Sequence, residues 1–239
     1  TTSPPGIKTI SQTSFFARLP LMATSNTHTI FISLELLDNL GHDKVRRCPT
    51  TRKLEQAIVH QDASVMVEAF QPLTDKLLSN VLLKVPSYGG IKGIPMWVPT
   101  VACGVLDHVK KLRPNSSIVF ADFDWLPGPD EPSTHSAGLN SSSWAQGEPL
   151  VTDMDGIDYK CYLQSPHLCD VLFPTDFSRL SSFCEKVFNN KRTKVWKQHS
   201  FLSEYGKKEV QETKSWLTGY SPMLNDFVNC SVLEVSKLR

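Results

Sequence analysis

The sequence predicts an α/β fold built on a buried, largely parallel sheet. Three observations point to it. Thr29–Leu34 and Ser117–Asp122 are short apolar and β-branched runs, the size of buried strands. Residues 99–113 place Val101, Val105, Val109 and Leu112 on one helical stripe and end at Pro114-Asn115. Helix, tight turn and apolar strand in that order form the half-unit of a parallel sheet, whose strands read as continuous apolar runs because both faces are covered.

The chain of 239 residues is long enough for one large domain or two small ones. Charged residues make up 21% and the balance is 25 basic to 24 acidic, so nothing global favours nucleic acid or an anionic membrane. No apolar run approaches the roughly 20 residues that span a bilayer. Six cysteines at 48, 103, 161, 169, 184 and 230 form no CxxC pair and no metal-ligand spacing. They read as small packing residues kept as thiols. Residues 1–27 lack an initiator Met and are rich in Ser, Thr and Pro, with an apolar patch at Phe15–Pro20, and read as a loop or the start of a fragment. The rest, 28–239, reads as one domain portion.

Taken in order, Thr29–Leu34 leads directly into Glu35, Asp38, His42 and Asp43. Ligands of open α/β sheets sit beyond the carboxyl ends of the strands, which makes these acids site candidates. The same residues equally suit a strand followed by a polar helix start, with Asp38 or Asn39 capping free amides. Asp43–Arg47 reads as an extended piece, and Leu54–His60 with Ser64–Phe70 as a hairpin or meander. Pro72–Leu83 reads as a helix. The loop Pro86–Pro95 is rich in glycine, but Gly89, Gly90 and Gly93 lack the spacing of a phosphate or dinucleotide cradle.

The second buried strand ends in Asp122 and Asp124, so two strands deliver carboxylates at the same end; turn capping is the alternative role for both. Residues 128–158 have no periodicity and read as a flexible excursion, a lid or a binding loop. Asp153, Asp155 and Asp158 match only part of a calcium loop and carry no metal assignment. Thr175 or Asp176 caps a helix over 177–188. A strand at 193–196, a short helix from Gln198 to Gly206 with His199 at its start, a charged helix over 209–216 and a closing strand over 227–235 complete the chain.

Four segments carry a family resemblance. Glu35-Leu-Leu-Asp38-Asn-Leu-Gly-His42 resembles the NEFFDALPVH segment of MidA-like S-adenosylmethionine-dependent methyltransferases, and Leu34–Asp43 is similar to EVLDNLPHD in fungal-type relatives. Ile118–Pro127 is similar to their ILSDFDSLP, and Asp170–Phe177 and Ser221–Asn225 have counterparts in the same order. Departures are Leu34, where bacterial members have Asn, and Gly41, where the family has Pro.

The resemblance implies the carboxyl-terminal part of a class I, Rossmann-like methyltransferase sheet, mostly parallel with an antiparallel final strand. It implies S-adenosyl-L-methionine as cofactor, and it places the glycine-rich cofactor loop upstream, before Thr1. It further implies a protein arginine acceptor, a respiratory complex I subunit as partner and a mitochondrial location. Within it, Glu35, Asp38 and His42 are the catalytic candidates, and Asp122 and Asp124 the substrate-binding ones, because a guanidinium needs carboxylates to hold it and help accept its proton. The competing reading is a non-catalytic assembly or scaffold module on the same fold.

Overall fold

The computed structural model describes residues 28–62, 65–90, 93–127, 147–159, 161–163, 168–189 and 191–237. The patch at Phe15–Pro20 and most of the 128–158 excursion lie outside them. Strand β1 (Thr29–Leu34) pairs in parallel with β6 (Ser116–Phe123), Ile32 facing Val119 across the ladder. Strand β11 (Cys230–Lys237) runs antiparallel between β6 and β10 (Lys191–Lys197), giving the order β1-β6-β11-β10.

This corrects the expected mostly parallel sheet. The final strand does run against the others, but it lies inside the sheet rather than at its edge. It therefore turns two of the three ladders antiparallel, and the sheet is mixed.

A second sheet, β4-β3-β2-β5, is antiparallel throughout its ladders: β2 (Asp43–Arg47), β3 (Leu54–Asp62), β4 (Val65–Pro72) and β5 (Met96–Val98). The predicted hairpin is β3–β4, whose strands run two residues further than the sequence suggested. A third small sheet joins β7 (Leu150–Asp153), β8 (Asp158–Tyr159) and β9 (Cys169–Leu172). The last part of the excursion is thus ordered as strand, not loop. Asp153 organises that turn: its Oδ1 accepts from the amides of Asp155 (3.0 Å) and Ile157 (2.9 Å), and its Oδ2 from the Tyr159 hydroxyl (2.8 Å).

Helix α1 (Lys76–Lys84) starts later than Pro72, because Asp75 is its N-cap and accepts from the Leu78 amide at 2.7 Å. Helix α2 (Thr100–Leu112) buries Val101, Val105, Leu106 and Val109 and carries Lys110 and Lys111 in its last turn, where they complement the helix dipole. Asp176 caps α3 (Phe177–Val187), accepting from the Arg179 amide at 2.9 Å and pairing with its guanidinium at 2.6 Å. Helices α4 (Gln198–Tyr205), α5 (Lys207–Glu212) and α6 (Pro222–Asn225) are short. The expected charged helix over 209–216 is α5, which starts earlier and stops at Glu212.

Helices α1, α2 and α3 cover one face of the mixed sheet and share one core with it. Ile118, Phe120, Leu233 and Val235 meet Leu106, Leu180 and Phe183 there, and Val45, Met96 and Val98 extend the core into the second sheet. Each such side chain contributes about 1.5–3 kcal/mol on burial. Phe31 turns towards this core, while its neighbours Ile30, Ile32 and Leu34 on the opposite face of β1 are 61%, 65% and 68% exposed. Among the described residues nothing covers this apolar face of the edge strand. Among the described residues no helix is long and apolar enough to cross a membrane.

Candidate active site at the carboxyl end of strands β1 and β6

The parallel register of β1 and β6 brings Leu34 opposite Ala121, and the Glu35 amide extends the ladder by donating to the Ala121 carbonyl at 2.9 Å. Glu35 and Asp122 therefore leave the sheet at one rim. Glu35 has φ of +49°, in the left-handed region that a non-glycine residue enters at a cost of about 1 kcal/mol. Its side chain is exposed, and its carboxylate has no hydrogen-bond or ion-pair partner among the described residues.

Asp122 is committed to structure. Its Oδ2 accepts from the amides of Leu37 (2.6 Å) and Asp38 (3.3 Å), and its Oδ1 from the Phe123 amide (2.8 Å). Residues 36–40 are a tight turn, with Asn39 N–H on Leu36 O and Leu40 N–H on Leu37 O, both at 3.2 Å. That turn replaces the helix start suggested by the sequence, and Asp122 caps it from the neighbouring strand. Burial, with the nearby Asp38 carboxylate, raises the Asp122 pKa to about 6.

Asp38 is buried and accepts from the Asn39 side-chain amide at 2.8 Å, while its carbonyl holds the Phe173 amide at 2.9 Å. Burial raises its pKa as well, with the Asn39 hydrogen bond opposing.

His42 stacks on Phe173, ring centres 4.1 Å apart, and its Nδ1 hydrogen-bonds the Leu40 carbonyl at 2.8 Å. Burial pushes its pKa down to about 4, so the ring is neutral near pH 7 and packs as an aromatic. Asp124 is held by other partners: it pairs with Lys197, accepts from the Ser231 hydroxyl, and its amide donates to Asn229 O at 2.8 Å, tying β6 to β10 and β11. His199 lies in α4, as expected of a helix-start residue.

The structure thus gathers Glu35, Asp38 and Asp122 at one rim, stacks His42 on Phe173 beside their turn, and ties Asp124 to Lys197 and Ser231. Sequence reasoning missed Phe173, which joins His42 and Asp38 to Trp97 (ring centres 5.1 Å apart). Nothing in its local sequence signals a contact with residues more than 70 positions away.

A family model described as "Putative S-adenosyl-L-methionine-dependent methyltransferase" matches residues 8–194, well over half of the chain. The chain belongs to this family. Among solved structures, an uncharacterised superfamily protein from Burkholderia thailandensis matches with a TM-score of 0.60 at 15% identity, over 88% of this chain and 56% of that one. A second superfamily member from the same organism is described as a "likely methyl transferase" and was solved bound to S-adenosyl-homocysteine. It matches with a TM-score of 0.59 at 16% identity, over 88% of this chain and 54% of that one. At such identity these two show the shared fold. A search of curated proteins finds no match.

The chain spans little more than half the length of these structures. The family's cofactor is S-adenosyl-L-methionine. Tested against that group, the described residues supply one uncommitted rim carboxylate but no adenosyl cradle. The loop of Gly89 and Gly90 packs on Arg47, Leu54 and Met96 of the second sheet instead. Asp122 already spends its oxygens on backbone amides, and Asp38 accepts from the Asn39 side chain. Alone, these residues do not fit the cofactor.

Proposed function

We propose that this chain is the acceptor-side portion of a methyltransferase of the MidA-like kind, acting on a protein arginine, with a respiratory complex I subunit as the partner and the mitochondrion as the location. The observation that carries the acceptor side is Glu35. Among the described residues it is the rim carboxylate left without a partner, and it is held in a strained backbone conformation of the sort that concentrates at functional sites. The four ordered segment matches support the MidA-like assignment, the complex I partner and the compartment.

When bound, S-adenosyl-L-methionine supplies an electrophilic methyl group on a sulfonium. The chain's part would be to hold the guanidinium and accept its proton. Glu35 is placed for both. Asp122 and Asp38 position it by fixing the turn that follows, and His42, neutral and stacked, braces that turn through Phe173. Asp124, held by Lys197 and Ser231, serves the β6–β10–β11 junction. Cofactor binding draws on more than the described residues.

The exposed β1 face also favours a second reading, a scaffold module that binds a partner through that face. Calorimetric titration of the full gene product with S-adenosyl-L-methionine separates the two. Saturable binding together with transfer to an arginine peptide supports the enzyme; absence of both, with the fold intact, leaves the scaffold.

A further inference from the structure

Beside the rim, the protein encloses an ammonium group in a box of aromatic rings and one carboxylate. Lys44 on β2 places Nζ 3.0 Å from both Glu68 oxygens, 5.2 Å from the centre of the Trp97 ring and 5.7 Å from that of Tyr162. Tyr162 donates its hydroxyl to Glu68 Oε2, and the Trp97 and Tyr162 rings meet edge to face at 5.3 Å. The Lys44 and Glu68 side chains are only 16% and 18% exposed. The Trp97 Nε1–H is buried and has no acceptor among the described residues.

A Lys–Glu pair across the sheet needs no such walls, and an exposed one contributes little. Two ring faces and a sheltered carboxylate instead make a receptor for a cation on a slender stem, because ring quadrupoles attract desolvated positive charge. Lys44 offers Glu68 a single point charge. Both Glu68 oxygens face the occupant at equal distance, an arrangement that the two parallel N–H groups of a guanidinium meet with better geometry. The flexible lysine stem can swing to solvent and free the space. Phe173 touches Trp97 on one side and the Asp38 carbonyl on the other, so the box adjoins the rim of Glu35.

We propose that the Trp97–Tyr162–Glu68 box is a binding site for an arginine side chain of the acceptor polypeptide, with Lys44 its internal occupant in the unbound protein. The proposal rests on the arginine-bearing acceptor proposed for the Glu35 rim, but its test does not need the cofactor. The Trp97 indole N–H resonance, assigned with Trp97→Phe, is followed while Nα-acetyl-arginine amide is titrated into the protein, with the neutral citrulline analogue as control.

The expected result is a saturable shift with the arginine probe only. Binding should tighten about tenfold or more in Lys44→Met, which removes the occupant and keeps an apolar stem, and weaken about tenfold in Glu68→Gln. Thermal unfolding confirms that each variant folds. Tyr162→Phe is a gentler second variant, expected to weaken binding several-fold by releasing Glu68. A resonance unmoved at saturating probe, or Lys44→Met binding no tighter than the unaltered protein, overturns the box. Methyl transfer that proceeds while the resonance stays fixed also overturns the box, yet leaves the acceptor reading standing. A saturable shift without any methyl transfer does the reverse.

Discussion

Asp122, at the end of β6, accepts a 2.6 Å hydrogen bond from the amide of Leu37, which follows β1. One carboxylate thereby fixes the turn that sets the direction of Glu35. Its three amide donors have no ready substitute, and an amide side chain would present N–H to N–H on one side. Asp122→Asn is therefore expected to lose about 2–3 kcal/mol at pH 7, measured by urea unfolding. The pH dependence has a defined sign. With its folded pKa raised to about 6, Asp122 binds a proton more tightly in the folded than in the unfolded chain. Its contribution to stability is then largest below about pH 4 and declines as pH rises to about 6. The Asn variant should lack that decline.

His42 works in the opposite direction. Its folded pKa, lowered to about 4, lies below the ordinary histidine value of about 6.5. The unfolded chain takes up the proton first, so stability present above pH 6.5 is lost as pH falls towards 4. His42→Phe keeps the stack on Phe173 and should flatten this acid-side loss. It should leave methyl transfer within about threefold, because a buried neutral ring is not placed to move a proton.

The parts legible in the sequence are those set by local pattern. The stripe Val101, Val105, Val109 located α2, the run Ser117–Asp122 located β6, and Thr175-Asp176 announced the start of α3, where Asp176 is the cap. Asp122 and Glu35 could be placed at one rim because parallel neighbours share their carboxyl ends. The insertion of β11 between β6 and β10 was not legible, since strand order is decided by contacts across more than 100 positions. Nor was the fate of Asp124, whose Lys197 and Ser231 partners arrive from two later strands. The Lys44 box joins β2, β4, β5 and Tyr162, and no local window contains it.

The left-handed backbone at Glu35 has its own test. A β-branched residue strains badly at φ of +49°, whereas glycine adopts it freely. Glu35→Val is expected to destabilise by about 1–2 kcal/mol and Glu35→Gly by less than about 0.5, by denaturant unfolding. Equal losses in both variants would mean that the backbone there is relaxed.

The bare face of β1 predicts a contrast with the core. Ile32→Thr should change the stability of the chain by less than about 0.5 kcal/mol and reduce binding of a hydrophobic dye. Phe120→Ala, on the next strand and fully buried, should cost about 3–5 kcal/mol. A large loss at Ile32 would show that its face is covered in the isolated chain.

In the proposed reaction Glu35 meets the methyl acceptor. Its most direct test is steady-state transfer of labelled methyl to an arginine peptide by the full gene product, unaltered and as Glu35→Gln. For Glu35→Gln, kcat/KM should fall about 100-fold with unfolding midpoint and cofactor binding unchanged. Transfer at the unaltered rate by Glu35→Gln would contradict it.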